Sequence, residues 1–305
     1  MVSGSVTRDS RLSGLPLVEH SAHVLIAGCG YLGRRAAERW QRSGVRVSVI
    51  TRSASKAGEL ANAGFEPIIG ELAAGDFPAL PDVDTVLWAV GFDRTSGQSR
   101  EAIWIDGLQR LLQQLPSTAK RFLYVSSTGV YGQTTGEFVS ESIDPQPTSD
   151  SGKCCLKAEQ MLQAEFDGQP ACSLTVLRMA GLYGPDRLLR RVSDLKASTP
   201  LPGNPGSYLN LIHIDDAVTA VIDVVARHDV ELLNVVNTGT LTRSEYYSEL
   251  ARLVDAPLPV FDESAPIVRG GNKRVLSVVR ESLPMTFRFD DVKVGLRDAV
   301  ARGRH

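Results

Sequence analysis

Cysteine is scarce, with 4 in 305 residues: Cys29, Cys154, Cys155 and Cys172. Cys154 and Cys155 are adjacent, which is neither metal-site spacing nor the pattern of a secreted disulfide framework. No metal site is expected, and a reducing cytoplasmic compartment is the default. An excess charge of either sign is also missing, with 33 Lys and Arg against 35 Asp and Glu, a net −2. That balance gives no electrostatic case for nucleic acid or a membrane surface as partner. No apolar run approaches ~18–20 residues, so no transmembrane helix is expected. Internal repeats are absent. Met1 to Ser21 is rich in Ser, Gly and Arg, and its longest apolar run, Leu15-Pro16-Leu17-Val18, is too short for a signal-peptide core. Residues 1–22 read as a flexible leader. An organelle transit peptide is the alternative, and Asp9 and Glu19 count against it.

What is present is ordinary globular composition, 43% hydrophobic and 22% charged, in a chain long enough for one large α/β domain or two ordinary ones. Val24-Leu25-Ile26-Ala27 is a wholly apolar run that reads as a strand buried on both faces. Leu32, Ala36 and Trp40 follow at helical spacing, with Arg34, Arg35, Glu38 and Arg39 between them. Further strands are predicted at Val45–Ile50, Glu66–Ile69, Thr85–Val90, Arg121–Ser126 and Leu174–Arg178. Helices are predicted at Ser55–Ala63, Ile103–Leu115 and Lys153–Phe166. The alternation implies βαβ units and a parallel, doubly wound α/β sheet of the Rossmann type. After Gly184-Pro185 the pattern is irregular. Asp216–Ala226 returns to helix, Leu233–Val236 to strand and Ser244–Val254 to helix. The tail from Ala256 mixes Pro-rich turns with short apolar segments.

Gly28-Cys29-Gly30-Tyr31-Leu32-Gly33 has G-x-G-x-x-G spacing between the first buried strand and an amphipathic helix. The first glycine permits a tight turn, the second lets the backbone approach a pyrophosphate, and the third lets the helix pack closely. Free N–H groups at the helix start favour that anion. The cofactor-binding candidates are Gly28, Gly30, Tyr31, Leu32 and Gly33, with Ala89, Ser126 and Ala180 at later strand ends. After the second strand, where an acidic residue would hold the ribose of NAD, stands Thr51-Arg52-Ser53. Arg52 could pair with a 2′-phosphate and Ser53 add a hydrogen bond. NADP is therefore favoured, and NAD stays open.

Three further segments resemble the short-chain dehydrogenase/reductase superfamily, in its extended and atypical branch of nucleotide-sugar epimerase and dehydratase relatives. They are Leu123 to Gly132 (LYVSSTGVYG), Leu177 to Pro185 (LRMAGLYGP) and Asn210 to Val218 (NLIHIDDAV). The resemblance covers about residues 24 to 300. It implies an NAD(P)-binding Rossmann domain over 23–184 and a smaller C-terminal substrate lobe over 185–305, with 211–238 returning to the core. It also implies a small-molecule substrate and, from the family's frequent dimers, a homodimer. The family hydroxyl that bonds the reacting oxygen falls on Ser127. Asp215 and Asp216 are expected to cap the following helix, and His213 to be a structural hydrogen-bonding residue.

The resemblance breaks at the acid/base. The family uses a Tyr and, four residues on, a Lys, one helical turn apart so that both face the site. Flanking residues put these positions at Ser151 and Cys155, and the position usually held by Asn at Trp104. Lys153 and Lys157 lie about 200° round the helix from the lysine position. Tyr131 and Tyr183 lie near the same edge; Tyr131 is the other catalytic candidate beside Ser127, though packing is the preferred reading of both tyrosines. Two functions follow. One is an NAD(P)-dependent oxidoreductase or epimerase-like enzyme on a small polar or sugar-related substrate. The other is a dinucleotide-binding regulatory or redox-sensing protein without turnover. Arg187, Tyr208, Asn210, Lys273 and Arg274 are the lobe residues expected to face a substrate.

Overall fold

The computed structural model describes residues 22–73, 78–169, 171–265 and 271–303. The expected leader, apart from Ala22, lies outside the described residues. The first half runs β1 (His23–Ala27), α1 (Tyr31–Arg42), β2 (Arg46–Thr51), α2 (Ala54–Asn62), β3 (Glu66–Ile69), β4 (Thr85–Trp88), α3 (Gly107–Gln113) and β5 (Arg121–Ser127). It continues through β6 (Glu137–Val139), α4 (Asp150–Phe166), β7 (Ser173–Met179) and β8 (Gly181–Tyr183). Then come α5 (Val192–Lys196), β9 (Leu201–Pro202), β10 (Tyr208–Leu209), β11 (Leu211–His213), α6 (Ile214–Asp223) and β12 (Leu232–Val235). The chain closes with β13 (Leu241–Thr242), α7 (Arg243–Leu253), β14 (Phe261–Asp262), β15 (Lys273–Val275), α8 (Val278–Glu281) and α9 (Val292–Arg302).

Seven strands form one sheet in the order β12-β7-β5-β4-β1-β2-β3, and every pairing is parallel. Every residue of β1 is buried, because helices cover both faces of a parallel sheet. Side chains alternate across it. Val24 and Ile26 pack with Ala36 and Trp40 of α1 and Ala217 and Val221 of α6. Leu25 and Ala27 pack with Leu108 and Leu111 of α3 and with Ala158 and Leu162 of α4. The strand order reverses between β1 and β4, so the crevice of this fold opens at their carboxyl ends. No helix among the described residues is long and apolar enough to cross a membrane.

A separate apolar cluster joins Tyr183, Leu195 and Leu211 to Tyr246 and Leu250 of α7 and to Val292, Leu296 and Ala299 of α9. The sequence reading of the tail missed α9. Asp291 caps it by accepting the Lys293 N–H at 2.7 Å, and Gly295, a poor helix former, lies where a Cβ would overlap the Tyr183 hydroxyl. The expected caps of α6 are corrected as well. His213 is the N-cap, its Nδ1 accepting the Asp215 N–H at 3.3 Å. Buried Asp216 instead accepts the Arg288 and Phe289 N–H groups, each at 2.8 Å, and so ties the late chain to the sheet.

Candidate functional site

Because the sheet is parallel, the ends of β1, β2, β4, β5 and β7 place Gly28, Arg52, Ala89, Ser126 and Ala180 along one edge. Gly28 has φ +95°, and a Cβ there would overlap the Ala89 carbonyl. Only glycine satisfies both conditions. A Cβ at Gly33 would overlap the Gly28 carbonyl, so the third glycine lets α1 start against the turn. Gly30 differs, with no atom within 4 Å of a Cβ built on it. Its outward face is open, as a backbone approached by a pyrophosphate requires. Leu32 is buried in the core. Tyr31 donates its hydroxyl to the Pro185 carbonyl at 2.8 Å and lies under both Arg35 and Arg187. Burial pushes its pKa up to about 12, so it stays protonated.

Arg52 reaches from the end of β2 to Asp93, Nη2 to Oδ2 at 3.2 Å. The sequence reading missed this carboxylate, because the two residues are 41 positions apart. Ser53 caps α2, its hydroxyl accepting the Lys56 N–H at 3.3 Å. Ala89 and Ala180 each donate their N–H to a neighbouring backbone carbonyl, of Ala27 at 2.7 Å and Val235 at 3.0 Å.

At the end of β5, Ser126 and Ser127 diverge. Ser126 donates its hydroxyl to buried Glu159 of α4. Glu159 also receives Arg178 of β7, Nη2 to Oε2 at 2.7 Å and Nε to both oxygens at 3.2 Å. Arg178 donates from Nη1 to the Tyr131 hydroxyl at 2.9 Å, and Tyr131 donates onward to Asn234 at 3.0 Å. Glu141 completes the series, accepting from Asn234 N, Ser277 Oγ and Val278 N at 2.6–3.0 Å. Sequence periodicity gave no sign of this network. Tyr131 is buried, which raises its pKa, and its hydroxyl is committed on both sides. Ser127 by contrast accepts the Gly129 N–H at 3.0 Å, which uses a lone pair and not its proton. A cavity of about 90 Å³ lies beside it, lined by Trp88, Val90, Trp104, Ser126, Ser127 and Cys155 among others.

On α4, Ser151 faces the N-cap hydroxyl of Ser149 at 3.4 Å. Cys155 is buried, and burial pushes its thiol up to about 12, which makes it an inert neutral group rather than a nucleophile. Lys153 is exposed and Lys157 is ion-paired with Glu101 at the surface. Several residues expected to face a substrate carry structural contacts. Asn210 bridges the Lys273 carbonyl at 3.0 Å and the Val275 N–H at 2.7 Å. Arg274 lies over Phe138 and Tyr208. Lys273 is buried, which pushes its pKa down to about 8. His213, Asp215 and Asp298 bring ligand-type atoms within 4.8 Å of one another. Arg302 already bonds both carboxylates, at 2.8 and 3.0 Å, so a guanidinium supplies the positive charge there.

Comparison with known proteins agrees with this architecture. The chain is 28% identical over 261 residues to Protein YeeZ of Escherichia coli K12, covering 81% of this chain and 89% of that protein. A functionally unknown conserved protein from Silicibacter pomeroyi superposes with a TM-score of 0.74 at 25% identity, over 92% of this chain and 99% of that one. UDP-glucuronic acid 4-epimerase from Bacillus cereus, solved in complex with NAD, superposes with a TM-score of 0.74 at 18% identity, over 92% and 98% of the two chains. The family model that matches spans residues 24–239, from the first strand through the glycine turn and past β12. With the switch-point glycine turn and the seven-stranded parallel sheet inside that match, the chain belongs to the NAD-dependent epimerase/dehydratase family.

Proposed function

We propose that this protein is an NAD(P)-dependent oxidoreductase or epimerase-like enzyme, NADP favoured, acting on a small polar or sugar-related substrate without a Tyr/Lys relay. The observation that carries the reading is the pairing of the open face of Gly30 with the free proton of Ser127 on one sheet edge. The turn from Gly28 to Gly33 would bind the pyrophosphate, with Ser126, Ala89 and Ala180 walling the edge. The solved relatives with bound NAD support a nicotinamide dinucleotide as cofactor. When bound, it supplies a hydride donor or acceptor. Ser127 would orient and polarise the substrate oxygen, because the hydroxyls of Ser126 and Tyr131 are already committed to Glu159 and Asn234. Tyr131 would act as a positioning residue that holds Arg178, and the reacting proton would exchange with water or a substrate group. For cofactor choice, Arg52 would leave Asp93 to meet a 2′-phosphate.

The test is steady-state oxidation of NADPH against a panel of carbonyl compounds. Ser127→Ala is expected to lower kcat by ~10²–10³, the cost of losing one donor to developing charge. Ser151→Ala and Cys155→Ala should change it only modestly. Loss of activity in the Ser151 variant with Ser127→Ala unaffected contradicts the assignment. A second reading is favoured by the neutral, buried Cys155 and by the lack of any phenol on α4. It is a dinucleotide-binding regulatory or redox-sensing protein, and dinucleotide binding without turnover across the panel would support it.

A further inference from the structure

The geometry points to Trp104 as a cofactor-positioning residue whose indole N–H holds a hydroxyl oxygen of the nicotinamide-side ribose; this rests on the dinucleotide reading above. A dinucleotide laid across a switch point divides its two nucleotide halves between the two halves of the sheet. Arg52 marks the adenosine half beyond β2, so the other half lies over the ends of β4 and β5. The cavity beside Ser127 is at that place, lined by Trp88 and Val90 from the end of β4 and by Ser126 and Ser127 from β5. Trp104 forms another part of its wall, and its Nε1 is buried with no hydrogen-bond partner. An indole N–H can only donate, and a buried donor left unpaired is costly, so a ligand oxygen would satisfy it.

Two further observations support the assignment. Trp104 sits in a π-helical turn, Ala102–Asp106, a geometry that recurs at functional sites. Its ring is held edge-on by Phe92 at 6.1 Å, and Phe92 is in turn covered by Arg100 at 4.4 Å, so the indole is braced rather than free to rotate. The cavity chemistry selects the ligand. No Lys or Arg lines it, which disfavours phosphate or carboxylate, while hydroxyl and indole donors between apolar walls suit a neutral hydroxylated ring. Cys155, with its short side chain, leaves the space that such a ring would enter.

The experiment is a pair of titrations on the full chain, NADPH followed by its own fluorescence and 2′,5′-ADP followed by calorimetry. Trp104→Phe keeps the ring and removes the donor. The Kd for NADPH should rise roughly three- to tenfold, the usual effect of one neutral hydrogen bond, while that for 2′,5′-ADP is unchanged. Trp104→His, which keeps a ring N–H, should recover part of the loss. Unchanged NADPH affinity in Trp104→Phe overturns the proposal. Parallel weakening of both ligands also overturns it, because that reports a loosened fold. If the unmodified protein binds neither ligand, the dinucleotide reading itself fails, and this proposal fails with it.

Discussion

On the proposed reading, the Arg52–Asp93 pair is where the choice of dinucleotide would be made. Both are about half exposed, at 48% and 46%, and exposed pairs of this kind contribute only ~0–1 kcal/mol. A 2′-phosphate offers the Arg52 fork a stronger acceptor than one carboxylate oxygen. Asp93 would then remain beside that phosphate and repel it. Arg52→Ala is therefore expected to reduce NADP affinity by about tenfold or more, as loss of a charge-assisted hydrogen bond does, with little change for NAD. Asp93→Asn should strengthen NADP binding. Calorimetry on both variants with both cofactors checks this, and an unchanged NADP/NAD ratio in Arg52→Ala would contradict it. The two halves of the pair differ in how readable they are. Arg52 is legible because its position after the second strand is fixed by local order. Asp93 is not, since only the tertiary fold brings its loop to β2. The glycines are legible for the same local reason, Gly28 because its left-handed φ is a backbone demand that the turn itself makes.

Between elements, the joint that matters is the one tying α4 to β5 and β7. Glu159 has the look of a solvated charge on an amphipathic helix, and Arg178 that of an interruption in an apolar strand. Together they are a buried ion pair, 2% and 5% exposed, that also anchors Ser126 and Tyr131. Removing one partner leaves an uncompensated buried charge, so Glu159→Ala should lower stability by about 3–5 kcal/mol. Urea unfolding measures it, and a midpoint equal to that of the unmodified protein would show that the pair does not anchor the edge. Such partners were invisible because periodicity reports which face is buried but not what a polar group meets there. Two other departures are local. The predicted helix over Ile103–Leu115 opens as a π turn before α3, and α9 was hidden by the Asp and Gly residues in and around it.

At the scale of the whole molecule, alternating apolar strands and amphipathic helices left few topologies open, because parallel crossovers are almost always right-handed. Which of these orders the sheet adopts, and so where its switch point falls, is given by the observed strand pairing. The short two-stranded pairings, β6 with β15 and β9 with β14, join segments far apart in the chain and carry no local pattern. On the proposed function, a nicotinamide dinucleotide would cross this switch point over Gly30. Gly30 is also the position where the claim can be tested without harming the fold. A side chain there meets nothing within 4 Å, whereas one at Gly28 or Gly33 would strike backbone. The decisive measurement is an NADPH titration of the unmodified protein and of Gly30→Asp, with urea unfolding of both. Saturable binding is expected in the unmodified protein, and Gly30→Asp should abolish it, through bulk and negative charge beside the pyrophosphate, at an unchanged unfolding midpoint. Equal affinity in a folded Gly30→Asp variant would contradict it.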